Sequence, residues 1–132
     1  MDLPSKVSPS ESLARYLTQH NHYSTSKNVV KPSAFQPPSN LRLSVFRIDG
    51  LILEEVWEIG RVNVVSTMPL PKENVYGFAN IIASAVCEMD LDVDPDNNPP
   101  RHADIVGWPQ EKSERMLIAQ ELAAKATLRL RS

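Results

Sequence analysis

A small α+β domain is the fold this sequence predicts: a mixed or mostly antiparallel sheet with two to three helices packed mainly on one face. Three observations lead there. Segments that alternate apolar and polar residues are interleaved with segments of helical period, which favours a sheet interrupted by helices. Prolines outnumber glycines eleven to four and cluster between those segments, so the connections are stiff rather than glycine-flexible. A chain of 132 residues, 42% of them apolar, is long enough for one core and too short for two conventional ones.

The elements follow in order. "SESLARYLTQ" reads as a short helix, since Pro9 suits a first turn and Leu13, Tyr16 and Leu17 recur at helical spacing. "HNHYSTSKNVVKPSAFQPPSN" shows no sustained period and reads as a long wrapping loop anchored by Val29, Val30 and Phe35. Residues 1–40 are therefore expected as an N-terminal helix and a Pro/Ser/Asn-rich loop, and 41–132 as a single α+β core domain. "LRLSVFRI" is the clearest strand, with Leu41, Leu43 and Val45 on one face and Arg42, Ser44, Phe46 and Ile48 on the other. Asp49-Gly50 turns the chain.

"LILEEVWEIGRVNV" switches to helical spacing, with Leu53, Val56, Trp57, Gly60 and Val64 on one face and Glu54 and Glu55 in the first turn. Ile52 stands where a capping Ser or Asp is expected. "TMPLPKEN" is a break, "VYGFANII" a strand, "ASAVCEM" a short helix and "DLDVD" a half-exposed strand. "HADIVG" is a further strand, and Pro109 can open a helix over "PQEKSERMLIAQELAAKA" with the stripe Ile118, Ala119, Leu122, Ala123 and Ala126. Glu111–Arg115 and Glu121–Lys125 are spaced to pair along it. "TLRLR" reads as an edge strand with Leu128 and Leu130 inward and Arg129 and Arg131 outward.

Charge and composition exclude several functions. A formal charge of −2 with scattered bases argues against duplex nucleic acid, whose binders concentrate Lys and Arg on one face. No apolar leader or membrane-length run is present, which leads to the expectation of a cytoplasmic protein with no membrane partner. Cys87 has no second cysteine to pair with and reads as a small buried hydrophobe. Four glycines leave no phosphate-cradling loop, and no cofactor is expected.

The stretch "NPPRHADIVGWP" carries the densest cluster of reactive types. If 102–107 is extended, His102, Asp104 and Val106 share one face, so a carboxylate stands beside an imidazole. That pair makes His102 and Asp104 the candidate catalytic residues, with Arg47 and Arg101 as candidate anion contacts. The competing structural explanation is the polar side of a half-wet strand. Trp108 more simply packs beside the last helix than binds anything.

Metal signatures fail on spacing. Asp90, Asp92, Asp94 and Asp96 resemble a calcium loop, but from Asp90 the sixth position is Pro95 and the twelfth Arg101, where glycine and glutamate are needed. His20 and His22 would need His102 to complete a three-histidine zinc set, and nothing in the sequence joins them. No metal is expected.

The strings "VKPSAFQPP", "LRLSVFRIDGL" and "PPRHADIVGWP" together resemble a group of small bacterial proteins that brings no activity with it. The likeness runs from about Glu11 onward, and implies that Lys31, Pro32, Phe35, Arg47, Asp49 and residues 100–109 form one structural unit. The leading expectation is a cytosolic accessory or regulatory module of a bacterial operon that binds a protein partner or a second copy of itself. The alternative is an enzyme for a nucleotide or phosphorylated small molecule with an Arg/His/Asp site. A third reading, single-stranded nucleic-acid binding, would use Phe46, Trp57 or Trp108.

Overall fold

A computed structural model describes residues 6–64 and 75–131. Its centre is a six-stranded sheet, every neighbouring pair of which is antiparallel. In chain order the strands and α-helices are β1 (Ser12–Leu17), β2 (Tyr23–Ser24), β3 (Val29–Val30), β4 (Leu43–Arg47), α1 (Leu53–Ile59), β5 (Gly77–Ile82), α2 (Ala83–Cys87), β6 (Asp92–Pro95), β7 (His102–Val106), α3 (Lys112–Lys125) and β8 (Thr127–Leu130). The sheet order is β6-β7-β4-β1-β5-β8, and β2 and β3 form a separate hairpin. Short 3₁₀ turns occupy His20–His22 and Pro32–Phe35, and α1 runs on into a π-helical turn at Gly60–Val64. The fold is α+β, as the pattern of periods predicts. Among the described residues no helix is long and apolar enough to cross a membrane.

The expected first helix is a strand, and it is an inner one. β1 pairs with β5 through six residue positions and with β4 through Leu13 and Ala14. Both of its faces are covered. Leu13 and Leu17 enter the larger core with Phe35, Val45 and Leu122, while Ala14 and Tyr16 enter a smaller one with Phe46, Val56 and Phe78. A strand buried on two faces loses its alternation, and Leu13, Tyr16 and Leu17 then imitate a helical stripe. The N-terminal region is therefore built into the same sheet as residues 41–132.

The expected loop at 20–40 contains the two 3₁₀ turns and the β2–β3 hairpin. Val30 and Phe35 anchor it in the larger core as expected, whereas Val29 is exposed. The expected break at 67–74 lies outside the described residues.

Two layers flank the sheet. Ala83, Ala85 and Val86 of α2 and Ala119, Leu122 and Ala123 of α3 close the larger core on one face. α1 covers the other through Val56 and Trp57. The α1 N-terminus lacks a capping hydroxyl; the Glu55 carboxylate instead accepts the Ile52 amide at 3.2 Å. Gly60 is required where α1 continues, because a Cβ there would stand 2.8 Å from the Tyr16 ring.

α3 begins at Lys112, later than Pro109, and Arg115 folds back to donate to the Pro109 and Gln110 carbonyls. Lys125 reaches across to Glu88 at 3.2 Å. β8 is an edge strand; Leu128 packs on the core, but Leu130 is exposed rather than inward. Cys87, expected to be buried, is exposed, because it ends α2 on the side away from the core.

Candidate functional site

The segment from His102 to Val106 is extended, and its period of two has the expected result. Ala103 and Ile105 are fully buried in the larger core, while His102, Asp104 and Val106 face the opposite side. β4 lies alongside with Ser44 opposite Asp104 and Phe46 opposite His102. Ser44, His102 and Asp104 thus stand on one sheet face, backed by Phe46, whose ring meets the imidazole edge-on at 5.4 Å.

Both nitrogens of His102 are engaged. Nδ1 lies 2.8 Å from Asp96 Oδ1, and Nε2 lies 2.8 Å from Ser44 Oγ. An ionised carboxylate only accepts, so Nδ1 carries the proton. Nε2 of the neutral ring is then an acceptor, and the Ser44 hydroxyl donates to it. Asp96 reaches the ring from the turn between β6 and β7, which the Asn97 amide closes by donating to the His102 carbonyl at 2.9 Å. Burial works to raise the Asp96 pKa, but the bonds from His102 and the Asn98 amide outweigh it and hold the carboxyl below its ordinary range.

Asp104, the partner expected from the sequence, is 3.5 Å from Nε2. Its other oxygen accepts from Arg42 Nε at 3.0 Å, and Arg42 also pairs with Asp94 at 2.6 Å. Asp104 therefore stands beside Nε2 while held by Arg42, and Asp96 sets the tautomer.

The two expected anion contacts lie elsewhere. Arg47 is fully buried on the opposite parity of β4, where Glu11 grips it through two bonds of 2.8 and 2.9 Å. Arg101 lays its guanidinium on the Arg47 and Asp49 carbonyls at 3.1 and 3.4 Å. Neither is among the residues lining the cleft beside His102.

That cleft has a volume of about 400 Å³ and is lined by Arg15, Thr18, Ser44, Asn63, Pro99 and His102 among others. Arg15 supplies its cation, and nothing in the residues around it marks that role, because it sits in the segment that imitates a helix. The β1–β4 ladder stops at Ala14 and Phe46, and Arg15 fills the gap beyond. Its Nε donates to the Ala34 carbonyl at 2.8 Å and its Nη1 to the Ser44 carbonyl at 3.0 Å. Among the described residues no carboxylate pairs with Arg15, and burial lowers its pKa to about 10.

Asp96, His102 and Asp104 each present a ligand atom within 4.8 Å of the others, the one such set among the described residues. A divalent cation there would take over an imidazole nitrogen now bound to Asp96 or Ser44. His20 and His22 are not part of it. His20 lies against Tyr76 with ring centroids 4.2 Å apart, and His22 is buried with Nδ1 unpartnered. Phe46 and Trp108 are buried and Trp57 packs edge-on against Phe78, so these rings do not form an exposed stacking surface. No known family, curated protein or solved structure matches the chain.

Proposed function

We propose that the protein is a small enzyme whose active site is the cleft at His102 and whose substrate carries or develops negative charge. One observation carries this: an imidazole whose tautomer is fixed by a carboxylate presents its acceptor nitrogen to a hydroxyl on the wall of a cleft. A ring so held is ready to take a proton from a group in the cleft and return it. Arg15 takes the anion role that sequence assigned to Arg47 and Arg101, because among the described residues its charge meets carbonyl dipoles and no carboxylate. Asp104 stabilises the imidazolium formed during turnover. Phosphorylated small molecules remain within this class, since one guanidinium accepts either a phosphoryl or a carboxylate oxygen.

The test is turnover of p-nitrophenyl acetate and p-nitrophenyl phosphate by wild type and His102→Ala. We expect one of them to be turned over, with a loss of about 100-fold or more in the variant, the size usual for a general base. The melting temperature should stay unchanged. Equal rates in the two proteins would overturn the assignment.

A second reading, an accessory or regulatory module in a bacterial operon, is favoured by Met116 and Leu117, large apolar side chains adjacent and exposed on α3. Binding of a protein partner or a second copy would cover them. Light scattering that finds a lone monomer at working concentration, with no partner retained from native lysate, would remove it.

A further inference from the structure

We propose that Ser44 is a nucleophile and that the protein cleaves carboxylic esters through a covalent Ser44 acyl intermediate. The proposal rests on the reading of His102 as the base of the cleft and adds to it the attacking atom and the substrate class. The geometry is a three-membered relay: Ser44 Oγ lies 2.8 Å from His102 Nε2, and Nδ1 of the same ring lies 2.8 Å from Asp96 Oδ1. Hydroxyl, base and orienting carboxylate meet the distances that nucleophilic activation needs, and the nitrogens are used in the right sense. Ser44 and His102 stand on adjacent paired strands and both line the cleft, so their spacing is set by the sheet. Water is not the first choice of nucleophile, because the serine hydroxyl already occupies the basic nitrogen.

The charge in the cleft selects the ester. Its described lining holds one arginine and no lysine. Acyl transfer develops one negative charge on one oxygen, which a single guanidinium matches. Phosphoryl transfer spreads charge over three oxygens and calls on several cations. Arg15 is tied by Nη1 to the Ser44 carbonyl, so its charge is anchored to the nucleophile's own residue.

Ser44 Oγ forms a bond to the ester carbonyl carbon as its proton passes to His102 Nε2, and the carbonyl oxygen becomes an oxyanion. Collapse breaks the bond to the alkoxy oxygen, which takes the proton from His102 and departs as the alcohol. Water then attacks the acyl-Ser44 ester by the same route, giving the carboxylic acid and restoring the hydroxyl.

The experiment treats the full chain with a fluorophosphonate, from which Ser44 displaces fluoride, and locates the adduct by peptide mass spectrometry. We expect labelling at Ser44, none in Ser44→Ala, and a rate lowered about 100-fold or more in His102→Ala. Asp96→Asn should slow labelling while the imidazole ¹⁵N shifts of His102 report loss of the Nδ1–H tautomer, a readout that mere loosening of the turn would not give. p-Nitrophenyl acetate should release nitrophenol in a burst.

Adducts only at other residues, or equal labelling in His102→Ala, would overturn the proposal. If Ser44→Ala keeps turnover that depends on His102, the covalent step falls and His102 acts on water. Preference for p-nitrophenyl phosphate would remove the ester class. If neither variant differs from wild type, both this inference and the reading it rests on fall.

Discussion

Arg47 on β4 and Arg15 on β1 both bring a guanidinium into the body of one sheet, and among the described residues only Arg47 meets a carboxylate there. Glu11 binds Arg47 through two bonds, and that pairing holds the Glu11 carboxyl below its ordinary range against the opposing effect of burial. Among the described residues Arg15 is held by carbonyl oxygens and meets no carboxylate, so it carries a net charge at the wall of a cleft. The contrast separates a charge used to hold the fold from a charge left for something else. A neutralised buried pair has nothing more to offer a ligand, whereas an unneutralised cation gains by meeting an anion.

The largest effect should come from breaking the first member. Glu11→Gln takes the carboxylate from the fully buried Arg47 guanidinium, a loss of about 3–5 kcal/mol for a broken buried pair. Urea denaturation measures it. A cost under about 1 kcal/mol would show that Arg47 finds compensation elsewhere and would collapse the contrast.

The next effect sharpens the second member through its neighbour. His22 is buried with Nδ1 unpartnered, and burial, then the charge of Arg15, lower its pKa from 6.5 to about 4. The unfolded chain therefore binds the proton more readily than the native one. Stability is complete above about 6.5 and falls as pH drops towards 4, by about 3 kcal/mol in all at 1.36 kcal/mol per pKa unit. Unfolding curves across that range should show the slope, and His22→Phe should flatten it between pH 6.5 and 4.5, above the fall that Glu11 adds. In Arg15→Met the fall should be smaller and should end at a higher pH, because one of the two causes that lower the folded-state pKa is gone.

The smallest effect is on stability in Arg15→Met itself. Two carbonyls lose their donor, but an unbalanced charge is removed as well, so the cost should be about 1–2 kcal/mol. The expected ranking, Glu11→Gln well above Arg15→Met, is the direct check of the comparison. Parity between them would mean that Arg15 is as structural as Arg47.

Half of the candidate site was legible from residues, and the other half was not. His102 and Asp104 share a face because a strand alternates, and "HADIVG" is bounded by prolines and glycine that mark it as a strand. Asp96, the carboxylate that holds Nδ1, comes from the turn before β7, and no period governs where a turn residue points. Ser44 was placed on the polar face of β4, but its match to His102 needed the register of β4 against β7. The roles of Arg15 and Glu11 are hidden together by the helical spacing of β1, and with them both arginine environments. The buried positions of β1 fall on two faces, and local periodicity carries no mark of a second covering layer.

By itself the sequence determined the α+β class, strands β4 to β8, the three helices and the shared face of His102 and Asp104, because these follow from local period, proline placement and turn chemistry. The tertiary structure alone decided that β1 lies within the sheet, that Glu11 neutralises Arg47, that Arg15, Ser44 and His102 gather at one cleft, and that Asp96 holds the far nitrogen of His102. Those outcomes depend on which strands become neighbours and in what register. Contacts between residues far apart in the chain set that, and they leave no trace in the residues next to them.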